Sequence, residues 1–475
     1  MKCVVLLPDG VGVRNFLLGG FAERQAAEGE VHVLHQIPPA VLPRYQTELN
    51  GTVRWHEFSS YQETPVSFVL RYALMYAQMH WVNTKSMRYR MRSPMKGSWR
   101  TRAGDRAARA LGKAAAFPRG IQTLSRWHVA AVGRRPDVKK WRAFFEEVQP
   151  SVVFCSHQRP PTILPVILAA RECGIPTATF IFSWDNLTSK GRIAAPFDHF
   201  LVWSDLMRTE LLRYYPDVRP EQVHVVGTPQ FDPYADPSLR WSREEFFARI
   251  GGDPARRLIC YSGNNLQNGP EDPEHVRTLM TFIRSGRIRG NPQVVVRPAP
   301  VDDGSRYAAV RREFPELLFQ QPAWENPFKG GWDHVLPLPE DVPFLANLIH
   351  HSDLNINFGS TMTLDFAVHD KPVVNAAFDL STPPPFGIPS YEFLMQFEHY
   401  RPVLELGSSR FARTPDELAD HVNHYLENPA IDREGRRKLV DLQVSGPLGS
   451  STPRIIDVLA SISRTAPARN GRSAH

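Results

Sequence analysis

The chain predicts an α/β protein of two doubly wound domains facing a central cleft, with a basic helical insertion in the first. Three observations predict it. Short apolar runs alternate with longer helix-forming stretches, the pattern of parallel strands joined by crossover helices. The alternation breaks once, over 231–257, where Pro233, Pro237 and Pro254 gather, and then resumes. Basic residues also crowd into one stretch. Lys85 to Arg142 holds 17 Lys/Arg against two acids, Asp105 and Asp137. That is a net +15 in a chain of net +7, so the remainder stands at −8.

The elements follow in order. Lys2 to Leu7 is an apolar run ending in Pro8-Asp9-Gly10-Val11-Gly12, a buried strand and a glycine turn, and a helix is expected over 13–28. Glu30 to His35 reads as the second strand. Residues 60–140 form the helical insertion. Strands are expected at 151–155, 176–182, 199–203 and 223–226, with helices at 141–149, at 162–173 (closed by Gly174) and after 203. The first domain then covers 1–235 and a linker 236–257. The second domain, 258–452, has expected strands at 258–262, 293–297, 334–337, 354–358 and 372–376. Its helices are expected at 274–284, 342–352 and 363–369. A last helix covers 453–464 and a disordered tail 465–475.

Composition removes several classes. With 42% hydrophobic and 22% charged residues the chain is neither fibrous nor disordered. Its 475 residues can bury a core without covalent staples. Cys3, Cys155, Cys173 and Cys260 form no C-x-x-C pair, so reduced buried thiols are expected rather than disulfides or zinc. Met1 runs directly into an expected strand, so no signal peptide is expected, and no stretch has the ~20 clean apolar residues of a spanning helix. The expected location is cytoplasmic. The aromatic run before the basic segment (Phe68, Tyr72, Tyr76, Trp81) suits a peripheral contact of residues 66–142 with an anionic membrane surface. No nucleic-acid signature is present.

Chemistry is expected where strands end. In Asn357-Phe358-Gly359-Ser360-Thr361-Met362-Thr363-Leu364-Asp365 a strand ends, a glycine turns the chain and hydroxyls open a helix. Ser360, Thr361 and Thr363 can cap that helix, or the free N–H groups can hold a phosphate. Asp365, one turn on, can accept from ribose hydroxyls. Ser156-His157-Gln158-Arg159 places at a strand end a histidine that can act as base, bind phosphate or simply be structural. Asp185 in Trp184-Asp185-Asn186 is a second candidate base, and Asn186 an acceptor ligand or a turn residue. The first loop is not a dinucleotide fingerprint: Asn15 stands where the third glycine belongs. No Asp-x-Asp, H-E-x-x-H, P-loop or G-x-S-x-G occurs, so metal-independent chemistry is expected, with no cofactor.

The run Ser352-Asp353, Gly359-Ser360-Thr361, Asp365-Phe366-Ala367 and Lys371-Pro372-Val373 resembles the GT-B glycosyltransferase superfamily. The closer likeness is to its bacterial surface-polysaccharide and CDP-glycerol glycerophosphotransferase-like branch. Phe182 to Gly191 and His224 to Asp232 look like the matching first-domain stretches. The resemblance implies two Rossmann-like domains, the second binding a nucleotide-sugar donor. Ser262-Gly263-Asn264-Asn265, Arg297, Gly359, Ser360, Thr361 and Thr363 would hold the donor phosphates, and Asp365, where the superfamily usually has Glu, the ribose. Arg297 stands where the branch usually has His. The first domain would face a glycan or lipid-linked acceptor through Gly10, Gly12, Arg14 and Asn186, with Asp9, Asp185 or His157 as base. Transfer of a glycerophosphate unit, epimerisation of a sugar-nucleotide and non-catalytic nucleotide binding are the alternatives on this fold.

Overall fold

The structure, a computed structural model, describes residues 1–49, 51, 53–58, 61–327, 332 and 334–465. The chain divides into two compact units: Met1–Gln230 with everything from Ser445 onward, and Phe231–Val444. Each is built on a parallel sheet.

The first sheet has seven strands: β1 (Cys3–Leu7), β2 (Val31–His35), β3 (Val53–Glu57), β4 (Val152–Cys155), β5 (Thr177–Phe180), β6 (His199–Val202) and β7 (Val223–Val225). Their spatial order is β3-β2-β1-β4-β5-β6-β7, all parallel. β1, β2, β4 and β5 are buried at every position. Burial on both faces is why they read as near-continuous apolar runs. β3 (Val-Arg-Trp-His-Glu) escaped the sequence reading because it is a half-exposed edge strand with mixed polarity.

The helix expected over 13–28 is three pieces: Gly10–Val13, a wider turn at Arg14–Leu18, and Phe21–Glu28. Gly19 and Gly20 break it. A Cβ on Gly19 would strike the Asn15 carbonyl, and Gly20 stands at φ +80°.

The basic insertion is the crossover from β3 back to β4. It comprises helices Pro65–Val82, Lys85–Met91, Trp99–Ala114, Pro118–Gly133 and Pro136–Val148. Thr64 and Ser67 close a capping box on the first of these. That helix packs on Trp99–Ala114 around a small apolar cluster of Ala73, Leu74, Tyr76, Ala77 and Ala108. Asp105 is buried there; it accepts from Tyr76 Oη at 2.5 Å and from Arg109 Nε at 2.9 Å. Among the described residues no helix is long and apolar enough to cross a membrane.

The second sheet holds β8 (Leu258–Ser262), β9 (Gln293–Arg297), β10 (Leu318–Phe319), β13 (Leu354–Asn357), β14 (Val373–Ala376) and β15 (Arg410–Ala412) in the order β10-β9-β8-β13-β14-β15, again all parallel. The strand expected at 334–337 is a correction. Only β12 (Leu336–Pro337) is extended, and it pairs antiparallel with β11 (Trp324–Glu325) outside the main sheet. Pro337 has no N–H to give a central ladder, which confines it to an edge.

The stretch expected as a linker belongs to the second unit. Its helix Arg243–Ile250 packs on helix Asp341–His351, and Trp241 N–H donates to Asn347 Oδ1 at 2.8 Å. The chain leaves the second unit after Val444, short of the expected boundary at 452. Arg454 donates to the carbonyls of Ser445 and Val225, both at 3.0 Å, and helix Ser451–Thr465 packs on β4 and Phe21–Glu28. Of the expected tail, all but Thr465 lies outside the described residues.

The close packing of Gly112 gives a test. A Cβ there would stand 2.7 Å from both the Ala73 carbonyl and Tyr76 Cβ. Gly112→Ala should destabilise the first unit by about 1–3 kcal/mol in urea unfolding, despite the better helix propensity of alanine.

Candidate functional site

In the first unit, chain leaving β1 turns to β2 on one side while chain leaving β4 turns to β5 on the other. Loops that diverge from neighbouring parallel strands open a crevice at the strands' carboxyl ends. Asp9 stands two residues beyond β1 and His157 two beyond β4, and both are buried.

Asp9 divides its carboxylate. Oδ1 accepts the Gly12 N–H at 2.9 Å, capping the short helix, and Oδ2 meets His157 Nδ1. Burial pushes the Asp9 carboxyl up, but the His157 ring and the N–H groups of Gly12 and Val11 outweigh it and hold it below its ordinary value. The imidazole stacks on Phe182, with centroids 3.9 Å apart and planes 15° apart. Its Nε2 is buried without a hydrogen-bond partner, as is Ser156 Oγ. Gly12 keeps the loop close: a Cβ there would collide with Ser156 Oγ. The result is a histidine fixed in plane and tautomer, with one nitrogen on a carboxylate and the other unused.

Asp185 is engaged differently. It accepts from Asn186 Nδ2 at 2.9 Å and Ser189 Oγ at 2.7 Å, and pairs with Lys190 at 3.1 Å. Asn186 is buried and accepts from Gln158 Nε2 at 2.9 Å, while Gln158 Oε1 takes the Phe182 N–H at 3.0 Å. Gln158 therefore ties the His157 loop to the loop after β5. Gly10 is buried at the start of the first helical turn, and Arg14 Nε donates to Asn15 Oδ1 at 3.0 Å.

The second unit repeats the geometry at β8 and β13. Chain leaves β8 towards β9 and leaves β13 towards β14. Asn264 Nδ2 donates to the Phe358 carbonyl at 2.7 Å, joining the two loops, and Gly263 N–H donates to the Arg297 carbonyl at 2.9 Å. Buried Asp272 organises the first loop: it accepts from Asn264 N–H at 2.7 Å, Tyr261 Oη at 2.9 Å and Arg306 Nη2 at 2.9 Å. Ser262 is buried and accepts from Asn355 Nδ2 at 2.8 Å.

The hydroxyl-rich turn splits into two roles. Gly359 adopts φ +62°, and a side chain there would meet Leu394. Ser360 and Thr361 are partly exposed. Ser360 N–H donates to Asn357 Oδ1 at 2.9 Å, and Ser360 Oγ accepts the Met362 N–H at 3.3 Å. Thr363 points inward, between Asn357 Nδ2 at 3.1 Å and Tyr400 Oη at 2.8 Å. The helix that follows, Met362–Ala367, has six residues. Asp365 is buried with Tyr234 Oη on Oδ1 at 2.5 Å. Arg297, 7% exposed, donates through Nη2 to Asp341 Oδ1 at 2.7 Å, and its Nη1 is buried without a partner.

Sequence reasoning named neither Asp272, Arg306, Asp341, Tyr234 nor Tyr400. Each acts on a residue of another element, and no local motif announces that. The exception with a signal is Gln158, inside a strand-end segment already marked as polar. Among the described residues no three His, Cys, Asp or Glu side chains converge as metal ligands.

No family model matches the chain, and no curated protein matches it. Solved structures do. A glycosyltransferase from Rickettsia africae aligns over 98% of this chain and 99% of its own at 10% identity, with a TM-score of 0.51. A putative UDP-N-acetylglucosamine 2-epimerase from Listeria monocytogenes aligns over 97% and 96% at 12% identity, TM-score 0.54. The UDP-GlcNAc 2-epimerase of Neisseria meningitidis, solved with UDP-GlcNAc bound, aligns over 97% and 100% at 10% identity, TM-score 0.51. At such identities the likeness establishes the fold, two Rossmann-like units of the GT-B kind.

Asp272 yields a pH prediction. Burial pushes its carboxyl up to about 6, against Arg306, the Asn264 N–H and Tyr261, which pull it down. The folded state therefore binds this proton more tightly than the unfolded chain, whose Asp titrates near ~3.9. The Asp272 contribution to stability falls as pH rises from about 4 to about 6. Asp272→Asn should remove that part of the slope in urea titrations at stepped pH.

Proposed function

We propose that this chain is a glycosyltransferase. It moves a sugar from a nucleotide-sugar donor to a hydroxyl of a surface-glycan or lipid-linked acceptor, without a metal ion. The observation that carries the proposal is the His157 ring, with Nδ1 on Asp9 and Nε2 buried and unpartnered. A group held this way is a general base waiting for a proton donor.

The acceptor O–H donates to His157 Nε2. As its oxygen attacks the anomeric carbon, the proton passes to Nε2 and the bond from that carbon to the nucleotide diphosphate breaks. Asp9 keeps the ring in the productive tautomer and stabilises the imidazolium. Both Asp9 oxygens are occupied, and Asp185 is held by Asn186, Ser189 and Lys190, so of the three candidates His157 is assigned as base. Asp9 is the positioning residue.

In the second unit the Ser360 and Thr361 hydroxyls and Arg297 Nη1 receive the donor phosphates, the Gly263 and Asn264 N–H groups being held by the Arg297 carbonyl and Asp272. Developing charge on the leaving diphosphate is met by that guanidinium. Asp365 takes the ribose by exchanging the Tyr234 hydroxyl on Oδ1 for a ribose hydroxyl. Thr363 and Ser262 support these loops from inside.

The insertion supports a peripheral place on an anionic membrane. Trp99 (69% exposed) and Trp127 (55%) stand on helices that also carry Arg100, Arg102, Arg106, Arg119 and Arg126, and Phe117 (50%) immediately precedes the second of these. Exposed indoles among arginines match a bilayer interface.

Two tests follow. A panel of UDP, CDP, GDP and dTDP should include one nucleotide that stabilises the protein, by about 2.7 kcal/mol at 100 times its Kd. Ser360→Ala/Thr361→Ala should lose that stabilisation. His157→Ala should keep it while transfer, unaffected by EDTA, drops by about 10²–10⁴-fold. Full transfer by His157→Ala would remove the histidine from the mechanism. In the second test, Trp99→Ser/Phe117→Ser/Trp127→Ser should stay in the supernatant when the parent protein sediments with phosphatidylglycerol vesicles. Equal sedimentation would refute the membrane assignment.

A further inference from the structure

The loops around the Asp9–His157 pair carry an unbalanced group of cations. Lys190 pairs with Asp185 at 3.1 Å. Arg159 lies two residues beyond His157, in a loop tied to the Asp185–Asn186 turn through the Gln158–Asn186 hydrogen bond. Arg90 arrives from the insertion. Its helix, Lys85–Met91, is pinned to the same turn by Thr84 Oγ1 and Ser86 Oγ, which donate to the Thr188 carbonyl at 2.6 and 2.9 Å. All three of those residues are buried, so this docking is a built feature rather than a surface contact.

Arg192, on the same loop, is satisfied by Gln78 Oε1 at 3.1 Å and Asp217 at 2.9 Å. Arg90 and Arg159 have no hydrogen-bonding partner among the described residues. The cations also feel one another. Arg90 is itself exposed, with the charges of Arg159 and Asp185 close enough to act on it. Asp185 raises Lys190, but burial, Arg90 and Arg159 together carry it below its ordinary value. Three cations thus lie close enough to act on one another, beside the Asp185 carboxylate that Lys190 pairs with. Such an arrangement is costly in the free protein and is relieved by a bound anion.

We propose that Arg90, Arg159 and Lys190 form an anion site beside His157 that takes a phosphate or diphosphate group of the acceptor. The proposal rests on the transferase reading above and deepens it: the acceptor is phosphorylated, and the site sets its hydroxyl against Nε2. Two guanidinium groups suit the oxygens of a phosphate, which they can grip in pairs. The insertion then completes the acceptor site by supplying Arg90.

The test titrates inorganic pyrophosphate into the full chain carrying Ser360→Ala/Thr361→Ala, so that the donor loops do not supply the signal. Adding Arg90→Gln/Arg159→Gln should weaken pyrophosphate binding by about ten-fold or more. Arg119→Gln/Arg126→Gln, on helix Pro118–Gly133, should leave it unchanged. Equal binding with and without Arg90 and Arg159 would overturn the proposal, and so would equal loss in the Arg119/Arg126 control. If Arg90→Gln/Arg159→Gln alters only sedimentation with phosphatidylglycerol vesicles, these cations face a bilayer and the site falls. Failure of the transferase reading registers elsewhere, as no sugar transfer by the unaltered chain from any nucleotide-sugar whose nucleotide stabilises it, and leaves the pyrophosphate titration untouched. Nucleotide stabilisation of Arg90→Gln/Arg159→Gln in the otherwise unaltered chain reports that the variant is folded.

Discussion

The first unit depends on one carboxylate serving two masters. Asp9 has to cap the turn after β1 with one oxygen and hold His157 with the other. Both are possible only because β1 and β4 are hydrogen-bonded neighbours whose following loops diverge. The pairing register sets Leu6 beside Cys155, so the next residues of each strand emerge side by side at the sheet's edge. Gly12 has no side chain because Ser156 Oγ fills that space. Phe182, delivered by β5, closes the third side of the imidazole. Sheet order, one glycine and one aromatic ring therefore place the histidine, and its second nitrogen is buried without a hydrogen-bond partner.

The second unit meets the same constraint with neutral amides and a buried aspartate. Asn357, Asn355 and Asn375 form a polar seam at the ends of β13 and β14, satisfied by Ser262, Thr363, Tyr400 and Ser409. A fully partnered buried network of this kind fixes loop geometry, because any slip would strand a polar atom away from water. It explains why Thr363 faces inward while Ser360 and Thr361, from the same turn, face out. Arg297 shows the reverse condition. Asp341 occupies one of its nitrogens and leaves another buried and unused.

The insertion is held by a similar economy. Its helices carry most of the excess positive charge outward, while Asp105 sits inside, bonded to Tyr76 and Arg109. The small side chains of Ala73, Ala77, Ala108 and Gly112 let the first and third helices approach closely. The short helix between them is free to dock Thr84 and Ser86 on the Thr188 carbonyl.

The sequence by itself determined the two alternating series, the break near 231, the basic insertion and the strand-end positions of Asp9, His157 and the 357–365 turn. Each of these is written locally, as an apolar run, a glycine or a charge cluster. It could not show the edge strands β3, β10 and β15, which are short or half-exposed and carry no clear period. It also read the helix over 13–28 as continuous, although Gly19 and Gly20 stood in plain view. Only the tertiary structure decided that Asp9 and His157 are one unit rather than rival bases. Their contact spans 148 residues, and it depends on strand order, which local pattern does not encode. The same holds for Tyr234 on Asp365 and for Asp341 on Arg297. A hydrogen bond between distant elements leaves no periodic trace in either, because what selects the two partners is the geometry of the folded sheet.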